Sequence, residues 1–558
     1  MERLFNTHNI RNQYCLDGMW DFQTVESESL PAEYTDTMAV PSCWEMDIKY
    51  VRYKGYAAYR KVINVEKDGN IRLLFKGVSH SGTVYFDGKR VGFHYNAFTP
   101  FSVVVPNVAK GEHTIEVVAD NHFSEKSTLH IPNDYFTYGG ITRPTFYEII
   151  SDLYIERSEF EPIFDKGNWS ANVRVFIRNI SDKKENCQIT ISCAGSQEIV
   201  SGEISANGET MLTATMTFND VKPWSNKDPN LYLLDCVLSL NGEDIDDLTD
   251  RVGMRVVGID GHRVTVNGEP IIMIGVNRHE DHGTTGCAIP LQVMYSDIAL
   301  IEDMGANAVR TCHYPNDERF LDLCDERGIF VWEEHHSRGL DDVDITPPLF
   351  MEQSQQVTYE MLNYHYNHPS IVVWGCLNEC PSDSEIGRPV YEKHFEMLHT
   401  DKSRPASFAS NRLEKDWCLD LVDICSFNIY PLWYGDESPA DRMTHMKEFL
   451  TKKGVFHKPV IISEFGAGGI YNFHDVMNVK WSEEYQAEVM EKSIKAYLDA
   501  EFVTGIFIWQ FCDTRVTQEK WPMNRPNSRN NKGLVDEYRR PKMAYYTTKK
   551  LFTEFGKR

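Results

Sequence analysis

The sequence predicts a multidomain chain of all-β and α/β parts. A jelly-roll β-sandwich over residues 1–155 is followed by an immunoglobulin-like β-sandwich over 156–257 and a (β/α)8 TIM barrel over 258–558. Three observations carry this. The length of 558 residues exceeds one ordinary domain. Short alternating segments broken by turn residues fill the first half, and apolar runs alternating with amphipathic segments fill the second.

In the first domain, Thr83–Phe86 and His113–Val118 alternate in hydrophobicity and are bounded by Asp87-Gly88 and Lys110-Gly111. Many short strands with almost no helical period suggest a jelly roll. The texture repeats in Asn172–Arg178, Gln188–Cys193, Met211–Phe218 and Leu231–Leu240, enough for one immunoglobulin-like sandwich. Past Arg263 the candidate strands are Ile271–Val276, Ala308–Arg310, Ile329–Trp332, Ile371–Trp374, Ala406–Phe408, Ile424–Phe427, Val460–Ile462 and Ile506–Trp509. They number eight, as a closed barrel requires. Asp317–Arg327, Glu483–Ala500 and Lys542–Phe555 supply helices between and after them.

Composition narrows the function. A net charge of -25 argues against nucleic acid and anionic membranes as partners, since both require a positive surface. The same charge opposes long-range steering of an anionic substrate, so any such ligand needs cationic groups inside the site. The opening MERLFNTHNI lacks the basic start and apolar core of a signal peptide, and no apolar run is long enough to span a bilayer, so the chain reads as cytoplasmic. Thirteen cysteines without paired spacing read as reduced core thiols.

A barrel of this kind builds its active site where the strands end. Strand four ends in Leu377-Asn378-Glu379 and strand seven in Ile462-Ser463-Glu464, so two carboxylates distant in sequence share one rim. Glycoside hydrolysis needs such a pair. One carboxyl acts as acid on the leaving oxygen and the other attacks the anomeric carbon, with retention requiring a separation of about 5–5.5 Å. Singly, Asn-Glu after a strand also fits a helix N-cap, and a lone Glu fits a solvated loop. Their joint placement in register on one barrel favours catalysis.

With these residues in place, the chain resembles glycoside hydrolase family 2 over nearly its whole length, and within it the β-glucuronidases of gut bacteria. Gly275–Glu280 with Val309–Pro315 is similar to the family's first signature, and Trp374–Glu379 to its acid/base signature. The resemblance implies that Glu379 is the general acid/base and Glu464 the nucleophile. It also implies that Asn378 meets the sugar 2-hydroxyl, that Tyr430 donates to the nucleophile and that Trp509 forms a platform for the ring. Asn428, on the same strand end as Tyr430, joins the expected sugar-binding set. Arg310 is placed to keep Glu464 charged, since an adjacent guanidinium lowers a carboxylate's pKa.

Asn530-Asn531-Lys532 matches the N-x-K motif with which β-glucuronidases hold the C6 carboxylate, and an ammonium with an amide suits that anion. Asp134, His313, Trp433 and Tyr434 resemble further sugar contacts in those enzymes. Asn530–Gly533 also reads as a polar turn, and Asp134 as an Asx-turn residue. The expected reaction is therefore retaining exo-hydrolysis of small β-D-glucuronides. Galacturonides or galactosides on the same scaffold remain an alternative, and a non-catalytic carbohydrate-binding protein a more distant one.

Related galactosidases bind magnesium through a Glu and a His after strand three. Here Glu333-Glu334-His335-His336 lacks the Glu-x-His spacing, so no metal is expected, and these side chains are read as polar groups of the rim. No cofactor is expected for catalysis, although some gut bacterial relatives carry an accessory ligand such as flavin elsewhere. The family commonly forms homodimers and tetramers. The connection from Gly339 to Glu352 is short where some bacterial members carry a long loop, implying an open mouth.

Overall fold

The computed structural model describes residues 2–556. Two sheets of four and six strands make the N-terminal sandwich, with Trp20, Phe22, Tyr59, Ile71, Val84 and Val117 buried between them. Asp87-Gly88 forms the turn between Ser81–Phe86 and Lys89–Tyr95. Both turn residues have positive φ, 49° and 72°, the combination of a type I′ hairpin whose twist matches its strands.

Seven strands form the second sandwich, three in one sheet and four in the other. Asn168–Asn179 shows why it has two faces. Trp169, Ala171, Val173, Val175 and Ile177 point inward while the residues between them are only partly covered.

The third part is a closed parallel barrel of Met273–Arg278 (β1), Ala308–Thr311 (β2), Phe330–Glu334 (β3), Ile371–Cys376 (β4), Ala406–Ser410 (β5), Cys425–Asn428 (β6), Val460–Phe465 (β7) and Val503–Ile508 (β8). β8 closes on β1 through pairs such as Met273↔Gly505. All eight predicted strands are present, though the last begins three residues before the predicted Ile506. The predicted Ile271–Val276 divides in two. Glu269–Ile271 ends a small three-stranded sheet over residues 257–271, whose Val257, Val264 and Val266 pack with Met273, Phe330 and Trp332 as one cluster. Alternation alone runs straight across Ile272 and hides the break. Close packing inside the barrel fixes Gly375, where a Cβ would lie 2.1 Å from the Trp332 indole nitrogen.

Helix Glu318–Arg327 starts at the predicted place because the Asp317 side chain accepts from the Arg319 N–H, and it stops at Gly328 in the left-handed conformation. All thirteen cysteines are free, eleven of them buried. No described helix is long and apolar enough to cross a membrane.

The N-terminal sandwich reaches the barrel mouth. Tyr138 Oη donates to Asp281 (2.9 Å) and Arg143 pairs with Glu280 (2.7 Å), so two acids of the segment after β1 anchor the domains. The loop carrying Asp134 is held in the same way. Asn133 N–H donates to Thr517 Oγ1 (3.2 Å) and its side-chain amide to the Arg338 carbonyl (3.1 Å).

Candidate active site

Glu379 and Glu464 both line one cavity of about 670 Å3 at the mouth of the barrel. Glu464, one residue before the end of β7, is in register with Asn428 of β6, and the Ile429 N–H donates to the Glu464 carbonyl at 2.8 Å. Its carboxylate accepts from Arg310 (3.1 Å) and from Tyr430 Oη (2.7 Å). Glu379 follows β4 with φ +52°, a left-handed conformation disfavoured for a glutamate. Neighbouring backbone holds it there, since its N–H donates to the Ala409 carbonyl at 2.9 Å. Its carboxylate accepts from Asn428 (3.0 Å) and lies 3.5 Å from Arg338.

Arg310 is the hub. Besides Glu464 it donates to Glu334 (2.7 and 2.9 Å), Asn277 (2.8 Å) and Asn378 (2.8 Å), all buried. Burial and the neighbouring Glu379 carboxylate nevertheless push Glu464 up to about 7, against the pull of Arg310 and Tyr430. The expectation that Arg310 keeps this group charged thus holds for the direction of its own effect and fails for the sum, because desolvation is larger.

Glu333 and Glu334 are wholly buried rather than polar groups of the rim. Glu333 accepts from His365, and Glu334 from Arg310 and His313. His335 and His336 are buried too, and both nitrogens of each ring are engaged, by Thr358 and the Leu377 N–H and by Asn96 and Tyr135. Sequence places these residues after a strand; only packing shows that the barrel and the first sandwich cover them.

Several buried polar atoms beside the carboxylates lack a protein partner, namely Nδ2 of Asn378, Nε2 of His313 and Nε2 of His279. His313 stacks on Trp509 (5.0 Å between centroids, 15°), and burial with nearby Arg310 drives its pKa well down. A neutral His313 that donates through Nδ1 to Glu334 keeps Nε2 as an acceptor. His279, Cys312 and His313 also bring their ligand atoms within 4.8 Å of one another.

The other wall holds the residues expected to meet a carboxylate. Lys532 is 2% exposed and donates to Tyr434 Oη (3.2 Å), with the rings of Tyr430, Trp433 and Tyr434 at 5.4–5.7 Å. Among the described residues no carboxylate lies within ion-pair distance of it. Burial and nearby Arg525 lower its pKa. Asp134 accepts from Arg525 (2.9 Å) and Asn530 (2.8 Å), and Asn530 Oδ1 has no partner. Trp433 does not line the cavity. It is buried behind Lys532 against Trp481.

Arg338, Arg525 and Trp521 also line the cavity and were not singled out in the sequence. Arg338 stands in the segment after β3, where its bridge to Asn378 extends the barrel pairing, so its position was a usable signal. Arg525 and Trp521 lie in an irregular loop with no such signal.

A (β/α)8 barrel with two carboxyls lining one cavity at its mouth, preceded by two β-sandwiches, is the arrangement of a glycoside hydrolase, and the sequence comparisons agree. The models for the sugar binding domain and the TIM barrel domain of glycosyl hydrolases family 2 match residues 14–147 and 257–556, and a further model described as glycosyl hydrolases family 2 matches residues 153–255. The chain belongs to glycosyl hydrolase family 2. A β-glucuronidase of Streptococcus agalactiae is 28% identical across 97% of this chain and 96% of its own. A family 2 β-galacturonidase of Eisenbergiella tayi, solved bound to galacturonate, is 41% identical with a TM-score of 0.96, covering 99% of both chains. A Ruminococcus gnavus β-glucuronidase shares the fold at 23% identity and a TM-score of 0.87.

Proposed function

We propose that this enzyme is a retaining exo-β-hexuronidase that removes a terminal uronic acid by double displacement. The observation that carries the uronide is Lys532, a buried ammonium in the cavity wall without a carboxylate of its own. Leaving such a charge unpaired is costly, and a C6 carboxylate would both neutralise it and accept a charge-assisted hydrogen bond. The local cation answers the steering problem set by the net charge.

In this reading Glu379 protonates the leaving oxygen while Glu464, fixed by Arg310 and Tyr430, attacks C1. Glu379 then deprotonates the water that releases the sugar. Asn428 serves as a positioning residue, since its amide links Glu379 to Asn378. The free nitrogens of Asn378, His279 and His313 await sugar hydroxyls. Arg310 and Tyr430 manage the nucleophile's charge, so no step requires a metal.

The epimer is a separate matter. Asn530 and Lys532 would meet a carboxylate that glucuronides and galacturonides share. We favour galacturonides, supported by the 41% identical β-galacturonidase, with glucuronides second, supported by the more distant β-glucuronidases. Initial rates on p-nitrophenyl β-galacturonide, β-glucuronide and β-galactoside separate these readings. Galacturonide should be cleaved best. A preference for glucuronide would reverse the epimer, and a preference for the neutral galactoside would sink the uronide reading.

A further inference from the structure

We propose that the outer half of the cavity is a second sugar subsite, so that the natural leaving group is a saccharide. This rests on the hexuronidase reading, which assigns the inner half to the uronic acid. The leaving oxygen must face Glu379, so the aglycone extends over the wall that carries this residue. The Glu379 N–H to Ala409 carbonyl bond places the end of β5 beside the acid, and Asn411, Arg412 and Leu413 line the cavity from there.

That wall is built for hydroxyl groups. The Arg412 guanidinium lies 3.4 Å from Asp383 and its side chain is still 29% exposed, while its backbone N–H donates to Ser410 Oγ (3.1 Å). Arg442 pairs with Glu437 beside it, and Asp341 adds a further acceptor. Paired ions already fixed in place offer donors and acceptors in alternation at little further entropic cost, and their charges nearly cancel. A charged leaving group therefore gains no net attraction. Leu413 is the large apolar side chain that the segment after β5 adds to the cavity. Two exposed aromatics also line the cavity, Tyr434 against Lys532 and Trp521 against Arg338, the guanidinium that stands 3.5 Å from Glu379, so Trp521 offers the leaving group a ring face on which a sugar can stack. A flat apolar aglycone would displace water from Asn411, Arg412 and Asp341 without replacing its hydrogen bonds, whereas a neutral hexose would replace them.

The test compares kcat/KM for the p-nitrophenyl uronide with that for a disaccharide carrying the same uronic acid β-linked to a neutral hexose, in wild type, Asn411→Ala and Arg412→Ala. Taking the ratio of the two substrates within each protein cancels any loss of folded enzyme. The disaccharide should be hydrolysed despite its poorer leaving group, and the disaccharide-to-nitrophenyl ratio should fall about tenfold or more in Arg412→Ala, the worth of a hydrogen bond to a charged group, and about two- to tenfold in Asn411→Ala, the worth of a neutral one. An unchanged ratio in both variants, or a disaccharide that is not cleaved while the nitrophenyl uronide is, would overturn the subsite alone. Failure to cleave any uronide would instead overturn the hexuronidase reading.

Discussion

Arg310 donates to Glu464 at 3.1 Å with one edge and grips Glu334 at 2.7 Å with the other, so a single guanidinium serves two buried carboxyls. Both carboxyls are pushed up to about 7, chiefly by burial. Arg310 and Arg338 favour the ionised form of Glu464, but burial and the neighbouring Glu379 outweigh them. That balance sets the behaviour expected with pH.

Because the nucleophile must be ionised, kcat/KM should fall about tenfold per pH unit below roughly pH 7. Tyr430 donates to Glu464 and lowers its pKa, so Tyr430→Phe should move that acidic limb to higher pH. A pH profile of kcat/KM for both proteins checks this. A limb unmoved by the substitution would contradict the role given to Tyr430.

The same shift has a stability consequence. Glu464 is raised in the folded state, so the contribution of its neutral form is present below about pH 4.5 and is lost as pH rises through about 7. Glu464→Gln, which cannot ionise, should therefore be more stable than wild type at pH 8, by up to about 3 kcal/mol, and nearly equal to it at pH 5. Thermal unfolding at the two pH values measures the difference, and equal Tm offsets at both would refute it.

Lys532→Ala should lower kcat/KM on uronides about 10–100-fold, the range for a hydrogen bond to a charged group. The corresponding neutral galactoside should lose far less. Equal losses on both would mean that Lys532 holds the wall together rather than the substrate.

Asp297, on the helix Leu291–Asp303 and not part of the cavity lining, accepts from Arg278 (3.0 Å) and Arg539 (2.7 Å). Asp297→Ala leaves a buried guanidinium uncompensated and should cost about 3–5 kcal/mol in denaturant unfolding. A loss below about 1 kcal/mol would show that water or rearrangement replaces the pair.

The fold was legible because hydrophobic period and turn chemistry are local. Val460–Ile462 and Ile371–Trp374 read as strands from their own residues, and the eightfold count followed. Glu379 and Glu464 could be brought together from sequence because a barrel puts strand ends on one rim, whereas Lys532 was singled out only by its resemblance to the N-x-K motif. Depth was not legible. Glu333, Glu334, His335 and His336 read as rim residues, yet all four lie buried: His336 meets Asn96 and Tyr135 of the first sandwich, 240 and 201 positions away, and the other three pair within the barrel. Trp433 was placed beside the carboxylate site by resemblance, while packing against Trp481 puts it one layer behind. Arg525 reaches Asp134 across 391 positions from an irregular loop, and no period announces such a pairing.

The central claim is that Glu464 forms a covalent bond to the sugar. Incubating the enzyme with a 2-deoxy-2-fluoro-uronosyl fluoride, which slows release more than formation of the intermediate, and mapping peptides by mass spectrometry tests it most directly. The account requires one added fluoro-uronosyl group, located on the peptide at Glu464 and absent from Glu464→Ala. An adduct on another residue, or turnover with inverted anomeric configuration and no adduct, would contradict it.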